Sequence, residues 1–190
     1  MPRAILLAKQ KLNSSLSDSL GNRFVIVPLS QAKREAIAAN LISVTEGALP
    51  GFCENMTLLE VASEHTSTFQ RLCFSLMLSV AQVVLHRKYA EEDAQEIMIR
   101  AFHLFFSEPS EERLGPRFQK AFNHCLERYA GVWQLSVPML NPNEDRMYEE
   151  WAGVFASELA IFHGIPCSQA KVRRWALAAI SAFRDGCYPL

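Results

Sequence analysis

The sequence predicts an all-α fold, and three observations carry that prediction. Apolar residues recur at i, i+3, i+4 and i+7 through most of the chain from Ser30 onward. Ser, Asn-Pro and Gly stand where helices of ordinary length would begin and end. The one β-branched run, Phe24 to Val27, ends at Pro28 and has nothing to pair with, so it reads as an extended arm laid on helices. A chain of 190 residues, 49% hydrophobic and 21% charged, suits one domain whose core needs no staples. The expectation is an N-terminal arm and linker over residues 1–29, followed by a bundle of six or seven helices over 30–190.

Each element has its own warrant. Asn13 to Asn22 is rich in serine and turn residues and reads as linker. Ser30 caps a helix with Ile37, Leu41 and Val44 on one face, Gly47 ends it, and Pro50-Gly51 turns the chain. A helix opens near Thr57 with Leu58, Leu59 and Val61, and breaks near Thr66-Ser67. A longer helix then runs from Phe69 to about Lys88. On it Arg71, Ser75, Ser79, Gln82 and His86 share an arc of about 80°, and everything else from Leu72 to Leu85 is apolar or alanine. Such a helix belongs in the middle of a bundle. Its polar seam either reaches solvent between neighbours or lines an internal cavity.

The next helix, Ala90 to Ser107, begins with Glu91, Glu92 and Asp93 at the positive end of its dipole. Residues from Ile97 to Phe106 spread apolar side chains over about 220° of its surface, and Pro109 ends it. Pro116 opens a helix whose stripe is Phe118, Phe122, Cys125, Leu126, Tyr129, Val132 and Trp133. Asn141-Pro142 opens another through about Phe162, closed by Gly164 and Pro166. Ser168 caps the last, which runs to about Asp185 before Gly186.

Composition narrows the function. A net charge of −1 and a pI near 6.5 supply no basic field, so neither nucleic acid nor a membrane surface is expected as partner. Five cysteines, at positions 53, 73, 125, 167 and 187, are odd in number and lack CxxC spacing, which reads as reduced thiols in a cytoplasm. The N-terminus has no cleavage-site pattern. The apolar stretch Leu72 to Leu85 is shorter than a bilayer's ~30 Å hydrocarbon requires.

No catalytic motif is legible. The histidines His65, His86, His103, His124 and His163 never form Glu-x-x-His or His-x-x-x-His pairs, so no metal and no cofactor are expected. His103 and His124 fall on charged arcs and read as surface residues. Cys125 lies on an apolar stripe, and Cys53 stands beside Glu54, which opposes a thiolate. No phosphate-binding, dinucleotide-binding or nucleophile-elbow motif occurs. Ala160 to Trp175 resembles a helix-turn-helix in its glycine, capping serine and Lys171, Arg173 and Arg174, but the serine follows Gly164 by four residues where a tight turn needs about two.

Glu158 is the carboxylate that stands out. It projects into an arc of Trp151, Val154, Phe155, Leu159, Ile161 and Phe162, where a charge must be paired or protonated. Its partner is an arginine or the Gln82–His86 seam, or else it anchors a polar group in a pocket or subunit interface.

Twelve phenylalanines and three tryptophans exceed what one inward stripe needs. The expected function is therefore a non-enzymatic, regulatory interaction with another protein through Ile99, Phe102, Phe105 and Phe106. Trp175, Ala178, Ala179 and Ala182 form either internal packing or a homodimer seam. The alternative is a helical sensor that encloses a small apolar ligand in a cavity of about 300 Å³ or more, with Arg71, Ser75, Ser79, Gln82, His86 or Glu158 as polar contacts.

Overall fold

The computed structural model describes residues 28–107, 124, 126–129, 131 and 144–187. Among them every regular element is helical: α1 (Gln31–Cys53), a 3₁₀ turn (Ser63–His65), α2 (Thr66–Lys88), α3 (Glu91–Ser107), α4 (Glu144–Ser157), a π segment (Glu158–Phe162) and α5 (Gln169–Cys187). Residues 124, 126–129 and 131 are helical too, within the helix expected after Pro116. The fold is all-α. The linker and the run Phe24 to Val27 lie outside the described residues.

α1 packs against α3, α4 packs against α5, and α2 lies between the two pairs. From Leu72 to Leu85 every α2 residue except Gln82 is buried, as a helix apolar over most of its circumference requires. Fully burying each large aliphatic or aromatic side chain contributes about 1.5–3 kcal/mol, so α2 supplies much of the core.

The sequence understated two helices. α1 does not stop at Gly47 but runs through Pro50 to Cys53. Proline removes one backbone donor, yet Ala48, Leu49, Phe52 and Cys53 pack on the core, and Phe52 meets the Trp175 ring edge-on at 5.5 Å. Tertiary contact outweighs the breaker signal. α2 starts at Thr66 rather than Phe69 and is 23 residues long. With its 3₁₀ lead-in, the segment Ser63–Lys88 is long and apolar enough to cross a bilayer (mean hydropathy 1.4), and so is Gln31–Cys53 (1.2). The length argument against a span therefore fails. What distinguishes α2 is enclosure: 78% of its apolar window is buried in the fold, against 28% for α1.

The helix expected at Thr57 is a turn instead. The Val61 and Glu60 amides donate to the Met56 and Thr57 carbonyls at 2.9 and 3.1 Å, with Glu60 at φ 64°. That is a Schellman closure, which ends a helical turn before it can propagate. Leu59 and Val61 stay buried while Leu58 is left exposed.

Two ion pairs join α1 to α3, one part-buried and one exposed on its α1 side. Arg34 donates to Asp93 from Nε at 2.7 Å and from Nη2 at 2.6 Å, and the Leu29 amide donates to the other Asp93 oxygen at 3.1 Å. Arg100 holds Glu35 at 2.6 Å and Glu96 at 2.9 Å.

Candidate functional site: the π turn around Glu158

α4 ends in an unusual way. After Ser157 the helix widens into a π turn, with the His163 amide donating to the Glu158 carbonyl at 3.0 Å. π turns occur mostly as single insertions within helices, often where a side chain must be re-aimed. Gly164, at φ +62°, then reverses the chain. An L side chain there pays the left-handed penalty although nothing would crowd its Cβ. Gly164→Ala is expected to destabilise the protein by about 1 kcal/mol in urea unfolding.

The widening changes which residues face inward. An α-helix advances about 100° per residue and a π turn about 80°, so over four steps Phe162 rotates by roughly 80° from its α-helical bearing. Ile161 and Phe162, expected in the buried arc, are instead 70% and 59% exposed, while Leu159 and Glu158 remain wholly buried. The hydrophobic pattern carried no sign of this, because it assumes a constant period.

Glu158 has its arginine. Arg128 donates from Nη1 to Glu158 and from Nη2 to the Ser157 hydroxyl at 3.3 Å. His124 approaches the same carboxylate at 3.6 Å and stacks on Phe162, with ring centroids 4.8 Å apart. His124 is therefore not the solvated histidine its charged arc implied: its side chain is 41% exposed and shared between an acid and an aromatic ring. His163 meets Phe162 edge-on at 5.1 Å, and its Nε2 is buried with no hydrogen-bond partner. Burial, then the charge of Arg71, lowers the His163 pKa; Glu158 opposes this in part. His124 and Arg128 were missed as site residues, although their i, i+4 spacing placed both on one helical face.

Ser75 and Ser79, the middle of the Arg71–His86 seam, are buried from solvent. The Ser75 hydroxyl donates to the Arg71 carbonyl and Ser79 to the Ser75 carbonyl, each at 2.9 Å. Serine can satisfy itself on its own helix in this way, so both are buried without any ligand. Arg71, Gln82 and His86 are half-buried at the two ends. Glu158 pairs with Arg128 rather than with Gln82 or His86.

Burial also lowers the His86 pKa. Both His86 and His163 thus titrate below the unfolded value of about 6.5, and the unfolded chain binds more protons between the two values. Their contribution to stability is present above about pH 6.5 and is lost as pH falls through the lowered folded pKa. The urea midpoint should accordingly drop as pH is taken from about 7 to 5.5, and His86→Gln with His163→Gln should flatten that slope.

The other expected surfaces are divided by the fold. On α3, Phe105 is core, stacked on Phe74 at 3.8 Å, because it faces α2. Ile99 and Phe102 are half-buried, Leu104 is 43% exposed, and the Phe106 side chain lies outside the described residues. On α5, Trp175 wedges among Phe52, Phe69 and Phe155, and Ala179 is buried. Only Ala178 and Ala182 of that seam face outward. Trp175, half-buried, and Ala179, buried, lie one turn apart on the face of α5 that leans inward.

A narrow apolar crevice, with about 0 Å³ of room for a water-sized molecule, is lined by residues including Phe52, Cys73, Met77, Trp175 and Phe183. None of Ser75, Ser79, Gln82, His86 or Glu158 lines it. The thiols of Cys53 and Cys73 are pushed up by burial, and that of Cys187 up to about 12. Cys125 lies outside the described residues. Lys171 pairs with Glu60, and Arg174 turns back onto the Ala170 carbonyl at 3.3 Å.

Fold and site together define an all-α bundle in which helix α4 ends in an ion-paired π turn. Comparison with protein-family models, curated proteins and solved structures finds no match.

Proposed function

We propose that this chain is a non-enzymatic interaction module that binds another protein through the aromatic face of its π turn. One observation carries the reading: Ile161 and Phe162, adjacent large apolar residues, are exposed together at 70% and 59%. Single exposed apolar residues are ordinary, but a neighbouring pair of this size held out by a special backbone is not. Burying them on a partner returns apolar area that the fold leaves in water. The base of the turn is anchored by the part-buried Glu158–Arg128 pair, so the knob is presented in one orientation. The partner-binding surface thus moves from α3 to the end of α4. A cytoplasmic location is part of the proposal, supported by the free thiols of Cys53, Cys73, Cys167 and Cys187.

The test is capture of partners by wild-type protein and by Ile161→Asp/Phe162→Asp, followed by mass spectrometry. Helicity and melting temperature should be unchanged, because both side chains are already largely in solvent, and partner capture should be lost. Capture undiminished in the folded variant would place the binding surface elsewhere, with Phe102→Asp on α3 as the comparison.

A further inference from the structure

The polar groups around Phe162 say what chemistry a partner brings. His124 lies nearly parallel to the Phe162 ring, at an interplanar angle of 24°, and His163 stands edge-on to it at 87°. Arg128, one turn beyond His124 on the same helix, has a side chain 38% exposed. Guanidinium carries five N–H donors in a planar fork. Among the described residues Arg128 spends only those directed at Glu158 and Ser157. The acid that balances this group, Glu158, is 0% exposed and presents nothing to solvent. Glu127, next in sequence, is exposed but forms no ion pair with Arg128 or His124 among the described residues. The rim of the apolar knob is therefore rich in accessible donors, while the acceptor that answers them is sealed beneath.

We propose that the Phe162 face takes a segment of another protein that sets a carboxylate beside large apolar side chains. The apolar residues cover Ile161 and Phe162, and the carboxylate accepts from the unspent Arg128 donors and from His124. This rests on the interaction reading above and adds the partner's chemistry to it. An Arg–carboxylate contact at a partly desolvated rim is directional and charge-assisted, which selects an acid over a neutral amide.

The experiment uses two fluorescein-labelled amphipathic helical peptides with the same leucine face, one flanked by glutamates and the other by glutamines, titrated with the full chain in fluorescence anisotropy. The glutamate peptide should bind about tenfold tighter, the difference should shrink in high salt, and Phe162→Asp should abolish binding of both. Equal affinity for the two peptides, both lost in Phe162→Asp, would overturn the carboxylate preference and leave the surface assignment standing. Binding that persists in folded Phe162→Asp would instead overturn the surface assignment, and saturable binding of neither peptide would overturn the inference. Two further arms carry rival occupants. Sedimentation with phosphatidylserine but not phosphatidylcholine vesicles would make the face a lipid contact. A concentration-dependent dimer lost in Ile161→Asp would make the occupant a second copy.

Discussion

Arg128→Met is expected to destabilise the protein by about 3 kcal/mol, which lowers Tm by roughly 10 °C for a chain of this size. The reason is what it leaves behind. Glu158 is fully enclosed, and without Arg128 its carboxylate loses the guanidinium that balances its charge, while His124 at 3.6 Å is too far to replace that bond. Breaking a buried pair from one side costs about 3–5 kcal/mol, and the lower end applies because the Arg128 side chain is 38% exposed and water can reach the gap. Removing both charges is a different experiment. Arg128→Met/Glu158→Leu takes away the stranded acid as well as the pair, so most of the lost stability should return. Urea unfolding of the two single variants and the double variant yields the coupling directly. A single-variant loss below about 1 kcal/mol would mean that the pair behaves like an exposed one, and that the π turn is held by something else.

Phe69→Ala is the second large effect, at about 4 kcal/mol. Phe69 is wholly buried near the start of α2. It meets Phe155 edge-on at 5.9 Å and Trp175 in a tilted arrangement at 5.4 Å, and Phe155 and Trp175 meet each other at 5.6 Å. Three helices, α2, α4 and α5, are therefore joined through one aromatic triangle. Truncation removes both transfer energy and two ring contacts, and the neighbouring rings belong to long helices that cannot collapse fully into the void. Phe69→Leu retains most of the volume and should cost less than about 1.5 kcal/mol. Urea midpoints measure both, and Trp175 fluorescence should shift in the alanine variant because its environment loosens. An alanine variant as stable as the leucine one would show that the triangle is not the junction of these helices.

The two predictions draw on different amounts of sequence information. That Glu158 would be buried and would have to be paired, hydrogen-bonded or protonated followed from its bearing among Trp151, Phe155 and Leu159 on a regular helix. That the partner would be Arg128 did not. The residues lie 30 positions apart, and only the packing of the 124–131 helix against the end of α4 brings them together. The same packing turned His124 from an exposed residue into a ring partner of Phe162. Phe162 and Ile161 were misplaced for a local reason: periodicity presumes one pitch, and a π turn changes the pitch without any marker in residue type.

The helical class, the central place of α2 and the boundaries of α3 were determined by the sequence alone, because each depends on solvent preference repeated over many residues, where errors at single positions average out. The tertiary structure alone decided where α1 ends, how Ser75 and Ser79 are satisfied, and which of Phe105, Trp175 and Ala178 faces outward. These depend on which neighbour occupies a given face, and a one-dimensional pattern specifies that a face is apolar without specifying what covers it.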